Sequence, residues 1–227
     1  MRNLPASVLF DLDGTLVDTA PDFHWVINEL LSEESRPDVS YAFIRRYVSN
    51  GARAMIGAAF KLDEDDNSFD RLHARLLEIY QEHLDVDSKL FPGLEQCLNL
   101  LESNDIPWGV VTNKPELYTT PVMKGLRLAD KASSIICPDH VEHKKPHPEA
   151  LFLACQQINC SAQDSIYVGD HLRDIEAGNR AGMTTIGATY GYLNEGEDPS
   201  DWNANHYIEC ATELTPLLQS LYTDLRC

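Results

Sequence analysis

Val8-Leu9-Phe10-Asp11-Leu12-Asp13-Gly14-Thr15-Leu16-Val17-Asp18 runs from three apolar residues into two carboxylates spaced i, i+2, then into a Gly-Thr turn. An apolar run closed by a turn signal reads as a buried strand. Asp11 and Asp13 then stand where that strand leaves its sheet, the edge at which open α/β sheets bind ligands. Side chains at i and i+2 of an extended strand share a face. Two carboxylates on one face repel unless a cation lies between them or one is protonated. The pattern therefore predicts Mg²⁺, which takes oxygen ligands and keeps part of its water shell. Gly14 frees the backbone to turn sharply after Asp13. The alternative is a solvated acidic turn, against which the hydrophobic lead-in and the Leu16-Val17 continuation argue.

The remaining composition narrows the partners. The chain has 227 residues, 43% hydrophobic and 24% charged, enough for a substantial core in one or two domains. A formal charge of −18 disfavours nucleic acid and anionic membranes as partners. An anionic substrate would need a locally positive pocket built from a metal and a few cations. Met1 to Ser7 lacks the apolar core of a signal peptide, and no apolar run is long enough to span a membrane. Cys97, Cys137, Cys155, Cys160, Cys210 and Cys227 are scattered without a C-x-x-C pair, which predicts reduced thiols and a cytoplasmic protein.

Along the chain, Asp18-Thr19-Ala20-Pro21 starts a helix striped by Phe23, Ile27, Leu30 and Leu31. Further helices are expected through Tyr41 to Val48, from Ala54 to Phe60, and through Phe69, Leu72, Leu76, Ile79 and Tyr80. No strand is expected between about residues 18 and 90. Beyond Pro92-Gly93 the pattern changes. A helix carries Leu94, Leu98 and Leu101, and strands are read at 108–112, 134–137, 165–168 and 184–188. Helices are read at 148–158 and 173–181, with a loop-like 194–203 and a last helix over 212–222. Strands alternating with helices indicate a doubly wound parallel α/β sheet. The expected organisation is a core of residues 1–17 and 91–227, with residues 18–90 inserted as a helical cap.

Three other strand ends deliver polar groups to the edge that holds Asp11. Thr112-Asn113-Lys114 offers a hydroxyl, an amide and an ammonium, the donors a phosphoryl group needs as negative charge spreads over its oxygens. An ordinary capping threonine is the alternative. Pro146 keeps Lys145 extended and out of the helix that follows. Gly169-Asp170 ends a strand, and Asp170 and Asp174 at i, i+4 place two acids on one side of a first helical turn.

Asp11-x-Asp13, Thr112, Lys145 and Asp170-x-x-x-Asp174 resemble, in order and context, the four motifs of the haloacid dehalogenase-like (HAD) phosphatases. The resemblance covers residue 8 to about 190. It implies an enzyme, a HAD-type phosphatase, with Asp11 as nucleophile forming an aspartyl-phosphate and Asp13 as general acid and base. It implies Mg²⁺ held by Asp11, the Asp13 backbone carbonyl and Asp170, with Asp174 as outer support or a further ligand. Thr112 and Lys145 would bind phosphoryl oxygens, with Asn113 and Lys114 as secondary candidates. The chain is similar to the phosphoglycolate phosphatase-like group. Gly51-Ala52-Arg53-Ala54-Met55, Trp108 through Pro115 and Tyr190-Gly191-Tyr192 resemble the branch that dephosphorylates N-acetylmuramic acid 6-phosphate.

A small phosphorylated metabolite, a sugar phosphate or phosphoglycolate, is thus the expected partner. Arg53 would greet its carboxylate or hydroxyls; the alternative is a helix C-cap at Gly51 followed by a solvated arginine. A sugar-phosphate mutase or a non-catalytic binding module are the competing classes. His140, His143 and His147 invite a zinc assignment, but prolines interrupt the segment and no cysteine or acid completes a compact set. His171 is expected to hydrogen-bond locally rather than to ligate.

Overall fold

A computed structural model describes residues 4–225; Cys227, read above as a thiol, lies outside them. The elements are β1 (Val8–Phe10), β2 (Val17–Asp18), α1 (Ala20–Glu33), α2 (Tyr41–Arg45), α3 (Gly51–Phe60), α4 (Phe69–Glu82), β3 (Lys89–Leu90), α5 (Leu94–Ser103), β4 (Trp108–Val111), α6 (Glu116–Gly125), β5 (Ser134–Ile136), α7 (Glu149–Ile158), β6 (Ile166–Gly169), α8 (Leu172–Ala181), β7 (Thr184–Ala188), β8 (His206–Ile208) and α9 (Leu214–Leu221). Among the described residues, six strands form a parallel sheet in the order β5-β4-β1-β6-β7-β8. This is the doubly wound α/β architecture expected.

The first strand sits in the middle, between β4 and β6, and therefore reads as an unbroken apolar run. Its residues alternate between two cores. Val8 and Phe10 join one that includes Val110 and Val168; Leu9 joins the other, with Leu151, Tyr167 and Ala177 of the helices and strand behind it. The first core continues without a break into α1, α3 and α4 through Ile27, Leu30, Ile56, Leu72 and Leu76. Phe10 lies opposite both Val110 and Val168, so β1 stops one residue short of its two neighbours. That register sets Asp11, Thr112 and Asp170 along one edge.

The structure corrects the expectation of no strand between residues 18 and 90. Val17–Asp18 pairs antiparallel with Lys89–Leu90, joining the two ends of the helical segment. Strands of two residues carry too little pattern to be seen as such. Helix α2 is shorter than expected and gives way to a 3₁₀ turn at Val48–Asn50, and α3 begins at Gly51 rather than Ala54. Helix α6 and strand β8 had no counterpart in the sequence reading, and Pro121 inside α6 is a residue that argues against helix.

Helix α1 has no side-chain cap of its own. Its terminal N–H groups are satisfied from far away: the Thr19 and Ala20 amides donate to the Tyr192 hydroxyl at 2.7 and 2.9 Å. Tyr192 in turn donates to Asp18 Oδ1 at 2.7 Å. No helix among the described residues is long and apolar enough to cross a membrane.

Candidate active site

Beyond Phe10 the Asp11 amide donates to the Val168 carbonyl at 2.9 Å, which extends the ladder one residue and anchors the backbone under the carboxylate. The Asp11 side chain is buried. Its Oδ1 accepts from the Leu12 amide at 2.7 Å and lies 2.9 Å from Lys145 Nζ. Both donors fall on one oxygen, which leaves Oδ2 with lone pairs to spare.

Lys145 is buried as well. Its ammonium contacts Asp174 Oδ1 at 2.7 Å, the Val111 carbonyl at 2.9 Å and the Tyr167 hydroxyl at 2.8 Å. Asn113, expected to meet substrate, directs its amide elsewhere: it donates to the Lys145 carbonyl and accepts from the Lys145 amide, both at 3.1 Å. Its observed part is to fix the backbone that presents Lys145. Thr112 is buried at the end of β4, and its Oγ1 accepts from the Lys114 amide at 3.1 Å. The hydroxyl proton stays available to a ligand.

Asp170 and Asp174 leave β6 and enter α8. Asp170 Oδ1 accepts from Thr15 Oγ1 at 3.1 Å, and Oδ2 accepts from the Tyr192 amide at 2.8 Å and from Ser49 Oγ at 3.2 Å. Asp174 Oδ2 accepts from the His171 amide at 3.1 Å, and His171 Nδ1 accepts from the Arg173 backbone N–H at 3.2 Å; the local hydrogen bond expected of His171 is thus the cap of α8. Asp11, Asp170 and Asp174 bring one ligand oxygen each within 4.8 Å of one another. Burial pushes the Asp11 and Asp170 carboxyls above the ordinary range; Lys145 offsets part of this at Asp11, Asp174 adds to both, and Asp11 adds to Asp170. Three buried carboxylates outnumber the Lys145 ammonium and the nearby Arg173 guanidinium, which leaves an excess of negative charge in an all-oxygen cluster. Such a donor set fits Mg²⁺.

Asp13 takes no part in that cluster through its carboxylate, which corrects the expectation of a cation shared between the side chains of Asp11 and Asp13. The strand ends at Phe10, and the two carboxylates have separate partners. Asp13 Oδ1 accepts from Thr19 Oγ1 at 2.6 Å and from Lys114 Nζ at 2.9 Å. Lys114 is pinned further by the Tyr80 hydroxyl at 2.6 Å, and lies 4.9 Å over the Phe23 ring. Burial alone would push the Lys114 ammonium's pKa down; Asp13 and Tyr80 outweigh it, and the net shift is upward, so the group stays charged.

A cavity of about 420 Å³ opens above Asp11, Asp13 and Thr112. Phe23, Leu77, Tyr80 and Tyr118 give it an apolar wall, and Ser49, Arg53, Lys144 and Arg173 border it. The helical segment is tied across this cavity. Arg173 Nη2 donates to the Ser49 carbonyl at 2.6 Å, and Arg45 donates to the carbonyls of Tyr190 and Gly191 at 2.6 and 2.8 Å. Arg53 reaches the rim with its charge already taken. Its guanidinium pairs with Glu64 at 2.9 Å and Asp70 at 3.3 Å and lies on the Phe69 ring.

The family model described as haloacid dehalogenase-like hydrolase matches residues 8–188. The chain belongs to that family. An N-acetylmuramic acid 6-phosphate phosphatase of Pseudomonas putida is 43% identical over 94% of this chain and 96% of its own length. A phosphoglycolate phosphatase of Xanthomonas campestris pv. campestris is 38% identical over 92% and 95% respectively. Among solved structures, that of a predicted phosphoglycolate phosphatase from Haemophilus somnus superposes with a TM-score of 0.82 at 25% identity, covering 96% of this chain and all of that one.

Within this HAD chain, sequence reasoning missed the part played by Tyr80, Tyr192 and Arg173. Tyr80 sat in an apolar stripe and gave no sign of its hydroxyl's use. Tyr192 belongs to a string singled out above, but it acts on residues more than 170 positions away, which no local pattern shows. The zinc reading is also revised. His140 faces Cys137 and Glu116, whereas an acid, Glu149, does complete a compact set with His143 and His147.

Proposed function

We propose that the protein is a Mg²⁺-dependent phosphomonoesterase that hydrolyses N-acetylmuramic acid 6-phosphate to N-acetylmuramate and phosphate, a step of peptidoglycan recycling. The observation that carries this reading is the pair of separately held carboxylates, Asp11 in a buried Lys145-Asp170-Asp174 cluster and Asp13 on Lys114, beneath one cavity. Residues 18–90 would act as a cap over that cavity, with the core formed by 1–17 and 91–227.

Asp11 Oδ2 would attack phosphorus, forming an aspartyl-phosphate as the bond to the ester oxygen breaks. Asp13, whose Oδ1 is taken by Thr19 and Lys114, would deliver a proton from Oδ2 to the departing sugar oxygen. Asp13 would then accept a proton from the water that attacks the aspartyl-phosphate, which releases phosphate and restores Asp11. Thr112 and Lys145 would donate to the phosphoryl oxygens, and Lys145 offsets the repulsion between Asp11 and an incoming dianion. Asn113 would keep Lys145 in place. Mg²⁺, held by Asp11, Asp170, the Asp13 backbone carbonyl and Asp174 in direct or outer contact, would neutralise phosphoryl charge and orient the group.

The sugar is favoured over the two-carbon acid by the cavity. Its roughly 420 Å³ falls in the range of pockets that enclose ligands of many heavy atoms, and the apolar wall suits an acetyl or lactyl group better than glycolate. The test is phosphate release with Mg²⁺ from N-acetylmuramic acid 6-phosphate and from 2-phosphoglycolate side by side. A much higher kcat/KM on the sugar is expected, with activity lost in Asp11→Asn. Preference for phosphoglycolate overturns the substrate; full activity of Asp11→Asn overturns the mechanism.

A further inference from the structure

His143, His147 and Glu149 lie outside the reaction cluster, and we infer that they form a second metal site, for a borderline transition cation such as Zn²⁺. Their ligand atoms lie within 4.8 Å of one another. Glu149 Oε2 is 3.1 Å from His143 Nδ1 and 3.8 Å from His147 Nδ1. Zinc bonds of about 2.0–2.1 Å at tetrahedral angles set neighbouring ligand atoms about 3.3 Å apart. The two separations bracket that value, so small side-chain rotations complete the geometry. The imidazoles already lie with centroids 4.7 Å apart.

The carboxylate is placed in advance. Glu149 accepts from the amides of Glu142 at 2.9 Å and His143 at 3.0 Å, and these bonds hold its carboxyl below the usual range, so it stays ionised. His147 Nδ1 accepts from the Glu149 amide at 3.3 Å, so this nitrogen is unprotonated, and the cation would displace this long hydrogen bond. At His143 the cation takes the place of the proton shared between Nδ1 and Glu149. All three side chains are partly open to solvent, so water supplies the fourth ligand. Two imidazoles and one carboxylate select Zn²⁺, Co²⁺ or Ni²⁺ over Mg²⁺, and the reverse holds for the all-oxygen cluster at Asp11. Mg²⁺ in excess therefore occupies the all-oxygen cluster and leaves the imidazole site to the transition cation. A cation here closes a ring over residues 143–149, which include Lys144 at the cavity border and Lys145, paired with Asp11.

The test is Zn²⁺ binding to the whole protein by equilibrium dialysis, with Mg²⁺ in large excess, and a parallel Co²⁺ titration followed by its visible absorption. One equivalent is expected in the wild type. His143→Ala and His147→Ala each weaken it by about tenfold or more, with the Mg²⁺-loaded Tm unchanged. His140→Ala leaves binding as it was, because His140 is committed to Cys137 and Glu116. No bound equivalent in the wild type overturns the inference. Equal affinity in all three variants does so too, and assigns the ion to other ligands.

Discussion

At the scale of the residue, the tightest constraint falls on Gly14. It adopts φ +84°, and a Cβ there would lie 2.2 Å from Asp170 Oδ2. Gly14→Ala is therefore expected to cost about 2–4 kcal/mol, from the left-handed backbone and the displaced carboxylate together. Urea unfolding reads the first effect, and weaker Mg²⁺ binding reads the second; a variant that matches the parent in both would refute the argument. The sequence displayed Gly14 as a turn residue but not the carboxylate packed on it, since Asp170 arrives from another strand. Arg53 shows the opposite failure. Its position at the cavity border was anticipated, but its engagement by Glu64 and Asp70 depends on tertiary packing. Arg53→Ala is expected to change KM within about twofold for any phosphate ester. A selective tenfold rise on carboxylate-bearing esters would return Arg53 to the substrate.

Among the elements, the short pair β2 and β3 is fastened by Asp22 of α1. This fully buried carboxylate accepts from the amides of Asp87 and Ser88 and from the Ser88 hydroxyl. Asp22→Ala strips three donors of their acceptor and should cost about 2–3 kcal/mol. Asp22→Asn, which keeps one acceptor oxygen, should recover part of it; equal stability of all three proteins in urea would contradict this. Periodicity revealed α4 because its apolar face is regular over several turns. It could not reveal β2, β3 or α6. Two-residue strands have no period, and α6 tolerates Pro121 because the carbonyl it leaves free belongs to Leu117 on an exposed flank.

For the molecule as a whole, the excess of buried carboxylate links metal, proton and stability. Burial raises Asp11 and Asp170 above their unfolded range near pH 4. The metal-free folded protein then binds protons more tightly than the unfolded chain, so its stability falls as pH rises from about 4 towards 7. Mg²⁺ needs the ionised forms and removes that loss. Calorimetry with and without Mg²⁺ should show a larger gain in Tm at pH 8 than at pH 5; equal gains would contradict the assignment of the cluster. Three of the four motifs were legible because each follows a strand end, where sequence order maps onto one edge of the sheet, and Lys145 because it stands just ahead of α7. The groups that tie the helical segment over them were not: Arg45 and Arg173 donate to backbone carbonyls, which any residue provides, and the Tyr80 hydroxyl that meets Lys114 sits in an apolar stripe. The central placement of β1 bears on the order of synthesis. Both neighbours of this strand, β4 and β6, leave the ribosome long after it, and only then can either of its edges be covered. The helices of residues 20–82 can meanwhile gather from contacts near in sequence. A nascent chain arrested before Ile166 would therefore hold a helical cluster beside an apolar strand with one bare edge, the species that a chaperone would be called on to shield.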